Sequence, residues 1–125
     1  MRLGVHHYVG RLLDYFDSKE YYYQVFELEN GGTLAEYTKE YQNIIPEARC
    51  KTIAQKLAQG IEFLHEYGIM IGKLNLETIL MTDKSDEAIP RISNLSAARI
   101  LMPYQKVKDH NLETGVNCAP EICLG

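Results

Sequence analysis

The chain has 125 residues, 46% hydrophobic and 24% charged, with a formal net charge of -4 at pH 7. These values are typical of one globular domain, and the acidic balance excludes the basic surface that nucleic-acid binding requires. No apolar run reaches the roughly 18 residues of a membrane span, and the N-terminus lacks the apolar core of a signal peptide. We therefore expect neither a nucleic-acid partner nor a membrane span.

The cysteines indicate a reducing compartment. Cys50, Cys118 and Cys123 are odd in number and widely spaced, which fits free thiols in the cytoplasm better than a disulfide framework. Two of them lie close together, but no second pair of cysteines or clustered histidines completes a metal site. The sequence therefore predicts a cytoplasmic protein without a bound metal.

The secondary structure expected from the sequence mixes strands and helices. Residues 9–16 and 21–28 are rich in valine and aromatics, which indicates two strands joined by a hairpin at 17–20. A capping-box pattern at Thr33 predicts a short helix to about residue 41. A longer helix follows Pro46 and stops at Gly68, and two short strands are expected at 79–82 and 89–92 around a charged turn. The longer helix carries one apolar stripe, at Ile53, Leu57, Ile61 and Leu64.

Residues 68–80 (GIMIGKLNLETIL) resemble the catalytic loop of protein kinases. The family pattern is H-R-D-L-x-x-x-N, in which the Asp accepts the substrate hydroxyl proton and the Asn holds magnesium. On that pattern Ile71 replaces the His, Gly72 the Arg, Lys73 the Asp and Thr78 the Asn. Asn75 stands where many kinases have a Lys. The apolar frame of the loop is kept, and its catalytic side chains are replaced.

Two further segments resemble the kinase regions that follow this loop. Residues 90–99 (PRISNLSAAR) are similar to the strand and D-F-G region, with Asn94 in place of the magnesium-binding Asp and Leu95 in place of the Phe. Residues 119–121 (APE) match the A-P-E motif. In the family the Glu of that motif pairs with an Arg far downstream, so Glu121 is expected to be exposed or paired from outside these residues.

Upstream, residues 25–34 resemble the strand and hinge between the two kinase lobes, and residues 6–13 resemble the segment that enters the fourth small-lobe strand. The resemblance makes Phe26 the gatekeeper and Glu27 to Glu29 the hinge. A plain core role for Phe26 is equally open. The positions that the resemblance implies for nucleotide binding are Phe26, Glu27, Leu28, Glu29 and Leu80.

The implied fold class is α+β, a partial protein kinase-like domain over residues 1–125. Residues 1–28 would supply small-lobe strands, and residues 29–125 the hinge and the first half of the mainly helical large lobe. The glycine-rich loop and the lysine-bearing strand of the family have no counterpart in this sequence. We therefore expect either a piece of a longer chain or a protein partner that completes the core.

The replaced side chains predict a protein that is not an enzyme. Magnesium prefers carboxylate oxygens, whereas Asn94 offers an amide and Thr78 a hydroxyl. Lys73 cannot act as the base while protonated, and the reference pKa of a lysine side chain lies well above neutral. The interpretation is a pseudokinase-like scaffold or binding module without cofactor, since ATP and magnesium would require the missing segments.

Four alternatives stay open. A longer Ser/Thr-type kinase chain could bind ATP and phosphorylate protein by an atypical mechanism, or the chain could be a structural subunit of a large assembly. Lys73 could contact a phosphate, although a solvated or locally paired lysine is the simpler interpretation. The tyrosines at 21–23 are either a docking surface or a surface covered by other small-lobe elements.

Overall fold

The computed structural model describes residues 4–42, 44–104 and 118–120. Its N-terminal part is an antiparallel hairpin of β1 (Leu12–Asp17) and β2 (Tyr22–Phe26), with a register irregularity between Leu12 and Asp14. The connection closes on Ser18, whose backbone N–H donates to the Tyr21 carbonyl at 2.8 Å. Both predicted strands and their hairpin are confirmed. Every residue of the two strands is exposed, on both faces of the hairpin.

The first helix, α1 (Leu34–Glu40), begins where the capping pattern predicts. Thr33 Oγ1 accepts the Glu36 backbone N–H at 3.1 Å, and Glu36 Oε2 accepts the Thr33 N–H at 2.9 Å. Two N–H groups at the helix start are thereby satisfied by side chains.

Replacing Thr33 with alanine is expected to lower the free energy of unfolding by about 0.5–2 kcal/mol, because the Glu36 N–H loses its acceptor. Thermal unfolding of the full-length protein measures the change. Thr52→Ala is the matched control, since the Thr52 hydroxyl bonds only to the Ala48 carbonyl within its own helix. Equal losses in the two variants would contradict the capping role.

The long helix, α2 (Glu47–Glu66), follows Pro46 and ends at Tyr67. Gly68 comes next with a left-handed φ of 68°, as expected of a helix stop. Of the apolar stripe, Ile53 and Leu64 are buried, and Leu57 and Ile61 are half-buried. The predicted helix and its inward face are confirmed.

Four short strands follow. β4 (Ile79–Met81) pairs with β5 (Pro90–Ile92), as the sequence predicts. β3 (Ile69–Met70) pairs with β6 (Arg99–Ile100), and this pair was not predicted. The turn between β4 and β5 is held by Asp83. Hydrogen bonds from the side chain and the backbone of Ser85 lower the pKa of the Asp83 carboxyl.

The core has two neighbouring apolar clusters, which share Leu57 and Leu74 at their margins. One lies between α1, the start of α2 and β4 with the turn that follows. The other lies beneath the loop after β3, and its buried members are Val9, Leu64, Ile71 and Ile92. Over the described ranges, no helix is long and apolar enough to cross a membrane.

Candidate functional site

The candidate site is built on the loop between β3 and β4, residues 71–78. Ile71 anchors it in the apolar cluster, with 7% of its surface exposed. Gly72 follows with φ 77°, and a Cβ atom there would lie 2.3 Å from the Ala97 carbonyl oxygen. Only glycine fits this close approach. The loop is therefore pressed against the segment that precedes β6.

Asn75 and Thr78 close the loop with reciprocal hydrogen bonds. Asn75 Oδ1 accepts the backbone N–H groups of Glu77 at 2.9 Å and of Thr78 at 3.0 Å. Thr78 Oγ1 accepts the Asn75 N–H and donates to the Asn75 carbonyl, each at 3.0 Å. Thr78 is 6% exposed. Both polar side chains are thus committed to the shape of the loop.

A backbone contact joins this loop to the second candidate segment. The Ser93 N–H donates to the Thr78 carbonyl at 3.0 Å, which places Asn94 beside the loop. Asn94 is exposed, and its Oδ1 accepts the Ser96 N–H at 3.1 Å. Leu95 packs against the same apolar cluster as Ile71. Ile71 and Leu95, at the positions where the kinase pattern has His and Phe, therefore belong to one apolar cluster.

The donor set at positions 73, 78 and 94 does not fit a magnesium site. It contains no carboxylate, the Thr78 hydroxyl is engaged in the loop, and Asn94 Oδ1 closes its own turn. Lys73 is exposed on the loop and brings a positive side chain instead. Among the described residues, no group of three or more His, Cys, Asp or Glu side chains is placed to hold a metal ion.

The hinge positions differ in exposure. Phe26 is 45% exposed at the end of β2, so it is not a core residue among the described elements, and Leu28 is 79% exposed. Leu80 is half-buried in β4, where it forms a bridge with Thr33. The roles of these positions in nucleotide binding stay predictions.

The two glutamates at the predicted hinge positions contact Arg91, for which the sequence predicted no role. Arg91 Nη1 lies 2.8 Å from Glu27 Oε2 and 2.7 Å from Glu29 Oε1. These partners are 64 and 62 residues apart in the chain. Arg91 lies three positions before Asn94, so the ion pairs tie the predicted hinge segment to the strand that leads into the candidate site. The alternation of a cation with apolar residues on a short strand was one signal of a role for Arg91. That pattern does not identify the residues with which the cation pairs.

The remaining predictions concern the C-terminal residues and the cysteines. Glu121 and Cys123 fall outside the described residues, so their expected surroundings stay predictions. Cys50 and Cys118 are free thiols.

The fold and the ordered loops define a protein kinase-like domain, and comparison with known families agrees. Residues 1–125 match the protein kinase domain family, and the chain belongs to that family. The predicted resemblance and the α+β class are confirmed.

Curated relatives are protein kinases by name. The chain is 29% identical over 104 residues, 82% of its length, to a probable myosin light chain kinase of Dictyostelium discoideum. It is 32% identical over 101 residues to the serine/threonine-protein kinase PLK4 of Danio rerio, and 31% over 98 residues to the serine/threonine-protein kinase ATG1c of Arabidopsis thaliana, covering 81% and 78% of the chain. These matches span 26%, 10% and 13% of the respective relatives.

The prediction that the chain is not an enzyme is wrong. The relatives are named as protein kinases, which points to the kinase family rather than to a non-enzyme. The error arose because the replaced side chains at 73, 78 and 94 were weighed above the retained frame of the loops.

Proposed function

We propose that these residues form the hinge and the active-site loops of a Ser/Thr protein kinase-like domain, which binds ATP and phosphorylates protein by an atypical mechanism. The observation that carries the proposal is the bond from the Ser93 N–H to the Thr78 carbonyl at 3.0 Å. It holds the catalytic-like loop beside the Asn94 segment, and phosphoryl transfer depends chiefly on such positioning. ATP binding would also use segments of the fold outside these residues.

In the proposed reaction a substrate hydroxyl oxygen bonds to the terminal phosphorus of ATP. The bond from that phosphorus to the bridging oxygen breaks, ADP leaves, and the hydroxyl proton passes to solvent. The donor set does not fit magnesium, so the positive charge near the phosphate would come from the Lys73 ammonium group. Fixed positive charge at the developing negative charge is the stabilisation that phosphoryl transfer needs.

Lys73→Met tests this role in the full-length protein. We expect transfer of radiolabelled phosphate from ATP to casein to fall by about 100-fold, the scale of losing one stabilising group at a transition state. Lys51→Met, an exposed lysine on α2, is the matched control and should leave the rate unchanged. No transfer by the unaltered protein, or equal rates in the two variants, would contradict the proposal.

Asn94→Asp should introduce magnesium dependence. A carboxylate at this position can still accept the Ser96 N–H that Asn94 Oδ1 accepts at 3.1 Å, so the turn is kept. It also supplies the oxygen that a hard cation prefers. We expect magnesium to strengthen ATP binding to the variant by about tenfold, a gain of roughly 1.4 kcal/mol, measured by calorimetry. Gln59→Asp on α2 is the control, and an equal gain there would refute a local effect.

A protein-docking role is a second candidate, favoured by the aromatic surface of the β1–β2 hairpin. Tyr15 is 72% exposed and Tyr22 is 89% exposed. Large exposed apolar patches often mark protein interfaces. Light scattering on the native full-length protein tests this candidate, since the mass of a single polypeptide would contradict a stable partner.

The free thiols of Cys50 and Cys118 support a reducing, intracellular location.

A further inference from the structure

One guanidinium holds both hinge carboxylates. The Arg91 side chain is 19% exposed, and the side chains of Glu27 and Glu29 are 42% and 5% exposed. Glu29 therefore places a nearly buried carboxylate against a mostly buried cation. Such a pair cannot lose one member cheaply, because the remaining charge would stay buried without compensation.

The backbone of the hinge is fixed on either side of this ion-pair group. At one end the Glu27 N–H donates to the Arg11 carbonyl at 3.0 Å. At the other end the Asn30 N–H donates to the Thr82 carbonyl at 3.2 Å, and the Gly31 N–H donates to the Met81 carbonyl at 2.9 Å. Between them Leu28 is exposed and takes part in no strand. The middle of the hinge is therefore restrained mainly through its two glutamate side chains.

The arginine is in turn held by the sheet. Arg91 is the central residue of β5 and stands opposite Leu80 in the β4–β5 pair. Its Nε is buried and has no hydrogen-bond partner within the described ranges. An unsatisfied buried donor costs free energy. The strand and the two glutamates together set the position of the Arg91 side chain, and they hold it there although its Nε is unsatisfied.

We infer that Arg91 is a positioning residue that latches the hinge to β5 and so couples the hinge to the Asn94 segment three residues further on. While Arg91 is paired with Glu27 and Glu29, the backbone groups of residues 27–30 keep one arrangement. A preorganised site binds its ligand more tightly than one that must be ordered first. The effect on nucleotide binding rests on the proposed function, whereas the restraint on the hinge does not.

Hydrogen–deuterium exchange of the full-length protein tests the latch. In Arg91→Met we expect the amides of residues 27–30 to exchange about tenfold faster. The amides of residues 53–60 in α2 should be unchanged, because the substitution allows only the hinge to open locally. Arg91→Lys keeps the charge and should restore most of the protection. The matched control is Lys84→Met, which removes the exposed ion pair to Glu40 at 3.3 Å and should leave the hinge amides unchanged.

Uniformly faster exchange in the hinge and in α2 would overturn the inference, because it would indicate a purely structural arginine. If Arg91→Met does not fold, Glu27→Gln gives the same readout with a milder change, since this glutamate is partly exposed. Unchanged hinge exchange in Glu27→Gln would then overturn the latch.

ATP affinity measured on the same variants separates the two proposals. The latch predicts binding about tenfold weaker in Arg91→Met. Equal affinity of Arg91→Met and the unaltered protein would overturn the coupling to nucleotide. Absence of ATP binding by the unaltered protein would refute the proposed function, while faster hinge exchange in Arg91→Met would still support the latch.

Discussion

Leu64→Ala is expected to lower the free energy of unfolding by about 2–5 kcal/mol, the range for deleting a buried leucine side chain and leaving a cavity. Leu64 is fully buried in the cluster that also contains Ile71. Because Ile71 anchors the catalytic-like loop, the cavity should loosen that loop as well. Denaturant unfolding of the full-length protein measures the loss, and exchange at residues 71–78 reports the loosening.

Leu64→Met serves as the control for this prediction. It nearly conserves side-chain volume and should cost less than about 1.5 kcal/mol. If methionine and alanine cost the same, packing at this position is not what holds the loop.

Gly72→Ala is expected to destabilise the domain by about 2 kcal/mol or more and to abolish the phosphate transfer proposed for the loop. The backbone at Gly72 has φ 77°, which side chains with a Cβ tolerate poorly. The added Cβ would also lie 2.3 Å from the Ala97 carbonyl oxygen, so one of the two segments must move. Thermal unfolding and the phosphate-transfer assay on the full-length protein measure the two effects.

Gly4→Ala is the matched control for Gly72→Ala. Its added Cβ would approach no closer than 3.3 Å, to the Tyr67 hydroxyl at the end of a side chain, and its φ lies outside the left-handed range. A change of less than about 0.5 kcal/mol is expected there. A similarly small effect at Gly72 would contradict the close packing of the loop against Ala97.

Local signals in the sequence predicted the parts of the fold that depend on near neighbours. The capping box at Thr33, the apolar stripe of α2 and the stop at Gly68 each act within a few residues, and each is found in the structure. The β3–β6 pair was not anticipated, because two-residue strands have no periodicity to detect.

The candidate site was predicted less completely for the same reason. Residue order was enough to predict roles for the loop and for Asn94, and these roles stay predictions, whereas the family comparison shows the family of the chain. The tie from Arg91 to Glu27 and Glu29 depends on tertiary packing across more than sixty residues, which no local pattern encodes. The use of Asn75 and Thr78 to shape the loop was likewise missed, because both were considered only as replacements for catalytic side chains.

The β3–β6 pair has a consequence for the order of folding. It joins Ile69–Met70 to Arg99–Ile100, and the Leu101 N–H adds one bond to the Gly68 carbonyl at 2.7 Å. Because this pair has few hydrogen bonds, it contributes little free energy to offset the conformational entropy that the long intervening segment loses when its ends are brought together. We expect the β1–β2 hairpin and the helices, which depend on nearer contacts, to form earlier. The loop carrying Lys73 would then reach its final shape late, when the strand after Asn94 docks, and would be among the first parts to open.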